Sequence, residues 1–497
     1  MPYAPGTYDP LYGAGFLLSL PIALTIFAWL LGGLPGLGQL LRDPIRRVWA
    51  VALVGLAVWM WLSVRWSFMS GHGQPNVAQS TAFQFSMVVL WALAAACAGP
   101  PPRSVAVVII ISAGLNTLLA LLQTAQQGAV GLSVLGEFGY RAEATGAPVL
   151  MSGGLRWLRP FGLLPHPNML AGILTVGFLA TPVLMSLMRG KARLIAVGVI
   201  VFVLWGLLLT FSRAALLGTA AGAFALLPVL WRWLRRRENT RWVLLAIGAC
   251  LITGAVFGYS YRDLLIVRTG IGGENTEMRS IADRWVFSLF AYRALTESNQ
   301  TLFFGLGAGN FPWRSSYYLA ETDYDLRGNN VHHIFLSALV ETGIVGYGLF
   351  VLAVFAGFEA GLRALKPDGL NADFVARACF LAGVVAYGII GLFDHYPWTM
   401  LQFQTLWWGL LAMSAVPLNQ PSPPGSSVPS PPPSAFSGVA VSPASSVPSA
   451  SESGSGVTSP SIKSCTASAI SSSVSEGGTT TSRSSSSTGS WNMRSLL

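Results

Sequence analysis

About eleven apolar stretches, each roughly 20 residues long, run along this chain, and that one feature excludes most folds. The hydrocarbon core of a bilayer admits only backbone whose N–H and C=O groups are bonded internally, so each stretch is predicted as a membrane-crossing helix. The stretches lie at about 14–34, 48–64, 81–98, 104–123, 165–187, 193–211, 214–231, 242–259, 343–362, 374–393 and 399–416. Little more than Ser212-Arg213 divides the sixth from the seventh, so the expected count is about 11 within a range of 10–12. Charged residues are 10% of the chain and hydrophobic residues 53%, where soluble domains carry roughly 25% charge. The expected fold is all-α, a polytopic membrane helical protein. The first stretch lacks a basic flank and a small-residue cleavage site, so it reads as a retained helix and not a removable signal.

A net charge of +10 suggests nucleic acid until its placement is considered. Arg42, Arg46, Arg47, Arg103, Arg189, Lys191, Arg193, Arg232, Arg235, Arg236, Arg237, Arg241, Arg363, Lys366 and Arg377 fall in alternate loops or at their edges. Positive residues collect on the cytoplasmic side, which places those loops inside, the amino terminus outside, and excludes a nucleic-acid surface. Cys97, Cys250 and Cys379 lie in apolar stretches and Cys465 near the end, without metal spacing.

Two long segments then face outward, 124–164 and 260–333, the larger between the eighth and ninth spans. Eight acidic residues (Asp263, Glu274, Glu277, Asp283, Glu297, Glu321, Asp323, Asp325) face seven arginines in the second segment. With Trp285, Trp313, Tyr317 and Tyr318 present, a folded cap with some helix is expected there, since a structureless loop of that length is unusual. The chain therefore divides into a multispan membrane domain, 1–416, and a Ser/Pro-rich tail, 417–497. Low apolar content predicts a disordered cytoplasmic tail.

All five histidines, His72, His166, His332, His333 and His395, map to the outer side or outer helix ends. The pair His332-His333 stands where the large loop meets a span, after Asn329-Asn330 and nine residues before Gly343-Ile344-Val345-Gly346. Imidazole titrates near neutral pH and can accept a proton from an attacking hydroxyl; the plainer role is a polar cap on the following helix. Arg213 sits at a span end, either as a snorkelling anchor or as a phosphate clamp, because a guanidinium matches phosphate oxygens. Arg284 is either a salt-bridge partner of Asp283 or Glu277 or a second arginine for the same pyrophosphate, with Arg279 as its competitor. His166, in Pro165-His166-Pro167-Asn168, reads as a kinked helix start. Asp394-His395 either orients the catalytic histidine or forms a wet turn. Gly305-Leu306-Gly307-Ala308-Gly309-Asn310 mimics a nucleotide loop but lacks the strand–turn–helix context, and reads as a turn where backbone meets backbone. Asp323-Tyr324-Asp325 mimics a metal-binding DxD by chance, so no metal is expected.

Four stretches together resemble the O-antigen ligase and polymerase family of bacterial glycan-assembly proteins. They are Arg159-Pro160-Phe161-Gly162 with Pro167-Asn168-Met169-Leu170-Ala171; Thr210-Phe211-Ser212-Arg213; Phe304-Gly305-Leu306-Gly307-Ala308-Gly309-Asn310-Phe311; and His332-His333 with Gly343 and Gly346. The likeness runs over about 155–416. It implies a metal-independent, cofactor-free glycosyltransferase in the cytoplasmic membrane, with its site on the extracytoplasmic side. The implied donor is an undecaprenyl-pyrophosphate-linked glycan and the acceptor a lipid or surface polymer. Carried over by position, Arg213 and Arg284 would bind the pyrophosphate and His332 would be catalytic. His333, Asp394 and His395 would support it, and Arg159, Arg279 and Asn330 are further candidates for substrate binding. Two positions depart from the family pattern: His333 replaces a small polar residue, and Trp285 follows Arg284 directly while Ser288 holds the position where tryptophan is usual.

Ligase, polymerase and protein O-oligosaccharyltransferase share these residues. A transporter or lipid flippase is the reading from another class, and it would show internal repeats and ionisable groups at mid-membrane. The spans are instead nearly free of charge, apart from Glu359 near an inner end, and polar residues gather at the outer rim.

Overall fold

The computed structural model describes the backbone over residues 14–269, 275–321, 329–365 and 370–416, and side chains over 20–268, 282–321, 329–365 and 370–416. The 417–497 segment, Asp323, Asp325 and the Arg279 side chain lie outside the described residues. Among those described, eight helices are long and apolar enough to cross a membrane, or nine if the bent pair Arg213–Ala225 and Leu227–Leu234 is one span. The two remaining stretches of the eleven are the helix Ala14–Leu31, whose side chains are described from Leu20, and the shorter apolar helix Leu401–Ser414. Fourteen residues rise only about 21 Å, less than the hydrocarbon thickness.

The stretch expected at 343–362 belongs to a longer run, Ile334–Ala364, in which two helices meet at a kink at the non-helical Gly343. Gly343 has φ 65°, and a Cβ there would collide with the backbone of Phe303 and Phe304. Gly305, also at positive φ, meets the Glu341 carbonyl in the same way. The N–H groups of Leu306 and Gly307 donate to the carbonyls of Val340 and Glu341, both at 2.9 Å. The glycine-rich loop thus docks backbone to backbone on the kinked helix.

The helices pack around Ala372–Ile390, whose apolar window is 78% buried, whereas that of Arg237–Ser260 is 17% buried and lies at the periphery. Small residues allow the close approach: Gly218 and Gly222 lie directly on the backbone of Ala386 and Ala382. Among the described residues between Ser260 and Ile334 lie four helices, Arg262–Thr269, Asn275–Thr296, Asn299–Phe304 and Phe311–Ala320. Their core includes Phe287, Phe290, Phe311, Tyr318 and Val331. Between Gln126 and Pro167 an antiparallel hairpin pairs Val149–Ser152 with Leu155–Leu158.

Candidate functional site

His332, His166, Asp394, His395 and Arg213 stand at the same ends of their respective helices, opposite the ends that carry Arg46, Arg103, Arg363 and Arg377. One backbone bond fixes the central contact. The N–H of Ile334 donates to the Gly391 carbonyl at 2.7 Å, which brings the His332 segment against the turn after Ala372–Ile390. His332 Nδ1 then lies 3.6 Å from Asp394 Oδ1, and the His332 and His395 rings are 5.0 Å apart at 66°. At 3.6 Å the first contact is an electrostatic pairing rather than a hydrogen bond; His332 Nδ1 is buried with no hydrogen-bond partner among the described residues.

Asp394 is held from two further directions. Its Oδ2 accepts from Asn168 Nδ2 at 3.1 Å, and its Oδ1 accepts from the His395 N–H at 2.9 Å. Burial alone would raise this carboxyl, but the imidazoles of His332, His395 and His166 outweigh burial and hold it well below the usual carboxylate range. His395 is lowered to about 4, chiefly by burial and then by the charge of His332. Its Nδ1 is 2.8 Å from Thr399 Oγ1. His166 is lowered to about 3 by burial and then by Arg159, and its Nδ1 accepts from the Asn168 N–H at 3.1 Å. It therefore starts the Pro167–Ala180 helix as a neutral cap.

The structure divides the histidine pair. His333 is the N-cap of Ile334–Ala364, its Nδ1 accepting from the Leu336 N–H at 3.2 Å, and burial lowers its pKa. The capping role open to His332 in the sequence belongs to His333, while His332 turns to the carboxylate. Asn330 is half-buried beside them and donates its N–H to Asn329 Oδ1. His72 sits elsewhere, between Phe68 and Tyr317.

The arginines occupy different places. Arg213 is the first residue of its helix and exposed, and donates to the Arg268 carbonyl at 3.1 Å. Arg284 bears electrostatically on both His166 and His395, so its charge reaches the same site. Arg159 is only 5% exposed. Its Nε donates to the Thr210 carbonyl at 2.8 Å and an Nη donates to Asn168 Oδ1 at 2.9 Å. Those bonds tie it into the protein scaffold.

Ligand atoms of His332, Asp394 and His395 all lie within 4.8 Å of one another, the one such group among the described residues. Two imidazoles and a carboxylate could hold a zinc ion, but the guanidiniums acting on the adjoining imidazoles, those of Arg159 and Arg284, oppose a dication there.

Sequence reasoning missed two features that position the site. The hairpin before Arg159 was legible in Gly153-Gly154, a two-residue turn with both φ positive, between two short apolar runs. Glu341 was not legible: it is 2% exposed and accepts from Trp398 Nε1 at 3.0 Å, joining the kinked helix to the turn that carries His395.

Residues 198–351 match the family model described as O-antigen ligase. The chain carries an O-antigen ligase family domain. That domain holds Arg213, Arg284, His332, His333, Gly343 and Gly346, whereas Arg159, Asn168, Asp394 and His395 lie beyond its limits. With the apolar helices, this match supports a multi-pass membrane protein of the O-antigen ligase family. No curated protein matches the chain.

Proposed function

We propose that this protein transfers a glycan from an undecaprenyl-pyrophosphate donor to an acceptor hydroxyl, in the manner of an O-antigen ligase, at the outer face of the cytoplasmic membrane. The observation that carries the reading is the pairing of His332 Nδ1, within the family domain, with Asp394 Oδ1 beyond its limit, at 3.6 Å. A carboxylate facing Nδ1 favours the tautomer with its proton there, which leaves Nε2 as the base.

The reaction balances without a cofactor. His332 Nε2 takes the acceptor hydroxyl proton as that oxygen attacks the anomeric carbon. The bond from that carbon to the pyrophosphate oxygen breaks, and the pyrophosphate leaves with the electron pair. Arg213 and Arg284 match the charge that develops on it, which is transition-state stabilisation by preplaced donors. The Asp394 carboxylate stabilises the imidazolium until its proton passes to solvent. A single displacement inverts the anomeric centre, and the chain uses no metal for it.

The test is reconstitution of the purified protein with a lipid-linked oligosaccharide and a choice of acceptors, in chelator and without nucleotide. Transfer to a lipid or surface polymer is expected. A ladder of lengthening lipid-linked chains would make the protein a polymerase, and transfer to a protein hydroxyl an O-oligosaccharyltransferase. Loss of transfer in chelator would overturn the metal-free mechanism and assign an ion to the His332, Asp394 and His395 group.

A further inference from the structure

Thr210 and Asp394 belong to the two arms of the site, one leading to Arg213 and the other facing His332, and two buried side chains link them. Arg159 donates from Nε to the Thr210 carbonyl and from an Nη to Asn168 Oδ1, and Asn168 donates from Nδ2 to Asp394 Oδ2. All four residues are nearly closed to solvent: Thr210 is fully buried, and Arg159, Asp394 and Asn168 are 5%, 6% and 7% exposed.

The arrangement at Thr210 is demanding. Two successive helices, Arg193–Leu209 and Arg213–Ala225, are joined by only three residues. To turn so sharply Phe211 adopts φ 50°, a left-handed conformation costly for a bulky side chain. Two of the three carbonyls of the turn are claimed by guanidiniums, that of Thr210 by Arg159 and that of Phe211 by Arg268 at 3.0 Å. Arg213 in turn donates to the Arg268 carbonyl. A planar fork with donors aimed in different directions suits this double attachment; an ammonium on a flexible stem does not reproduce it.

We propose that Arg159 and Asn168 are positioning residues that lock the pyrophosphate-side arginine turn to the base-side Asp394–His332 pair, so that the two arms keep one spacing. This rests on the function proposed above. Neither residue touches substrate. Asn168 acts on the base through Asp394, and Arg159 acts on both arms at once.

The two residues should therefore separate in kinetics, measured on the full chain in nanodiscs with a lipid-linked oligosaccharide and one acceptor. Asn168→Ala should lower kcat by about ten- to a hundredfold and leave the donor KM within about twofold, since misplacement by an ångström costs on that order. Arg159→Lys should lower kcat and also raise the donor KM by about threefold or more, because it disturbs the turn before Arg213 as well. Asn168→Asp is isosteric and removes the same donor to Asp394; it should reproduce the kcat loss, and stands in if Asn168→Ala does not fold. In a cycle, Asn168→Ala added to Asp394→Ala should cost less than about twofold more, because residues that act through one another are not additive.

Near wild-type kcat and KM in Arg159→Lys and both Asn168 variants, with Asp394→Ala impaired, would overturn the lock and leave the base pair standing. Additive losses in the cycle would likewise overturn it. Near wild-type transfer by Asp394→Ala would instead remove the base pair itself, and the lock with it.

Discussion

His332 Nδ1 stands 3.6 Å from Asp394 Oδ1 across two different helix ends, while the neighbouring His333 gives its own Nδ1 to the backbone of the helix it caps. Adjacent imidazoles thus have separate tasks. His332→Ala is expected to remove transfer by about 10²- to 10⁴-fold, the usual worth of a general base, in protein that still accumulates in the membrane. His333→Ala should lose a cap and about 1 kcal/mol of stability, with a smaller loss of rate. Glycan transfer and a thermal melt on both variants check this; a reversed order of rates would move the base by one residue.

Charge matching by the arginines predicts that Arg213→Lys loses most activity although the charge is kept, since one ammonium does not form the bidentate contact. Arg284→Ala should raise the donor KM, and Arg279→Ala should leave it unchanged. Donor titrations at saturating acceptor decide the point, and full activity in Arg213→Ala would make that residue a membrane anchor only.

Acid should weaken the site from two causes of the same sign. His395 and His166 titrate in the folded protein at about 4 and about 3, below the ordinary histidine value of about 6.5. Protonation therefore favours the unfolded chain: their contribution is intact above about pH 6.5 and is lost as pH falls toward 4. Asp394 is also held below its ordinary range, and its contribution is lost at lower pH still. The midpoint of thermal unfolding in detergent should fall between pH 6.5 and 4, and His395→Gln should flatten that slope.

Glu137 holds the segment between Gln126 and Pro167 together. It accepts from Gln123 Nε2 and from the N–H groups of Val130, Gly131 and Leu132, all between 2.6 and 2.8 Å. Burial would raise this carboxyl, yet those four donors lower it. Glu137→Gln should destabilise the segment by about 1–3 kcal/mol, the cost of leaving buried donors unmatched. Faster amide exchange over 127–142, with the helices unaffected, is the expected readout.

Gly343→Ala should be poorly tolerated. The position has φ 65° and faces the backbone of Phe303 and Phe304, so strain alone costs about 1–3 kcal/mol before the collision is counted. Gly348→Ala, on the same helix with open space around it, should melt like the wild type and serves as the control.

Helix after helix was legible because crossing a bilayer demands length and hydropathy, both of which are local and additive along the chain. His332 and Arg213 were legible too, since they sit beside marked motifs at span ends. The sequence by itself therefore determined an all-α membrane protein with its polar chemistry gathered at helix ends. Other decisions depend on which ends meet. Only packing shows that the Ile334 N–H reaches the Gly391 carbonyl and so sets His332 against Asp394. Only packing places Arg159 between Thr210 and Asn168, and assigns the cap to His333. A buried hydrogen-bond network is a property of distances between segments remote in the chain, and hydropathy carries no record of those distances.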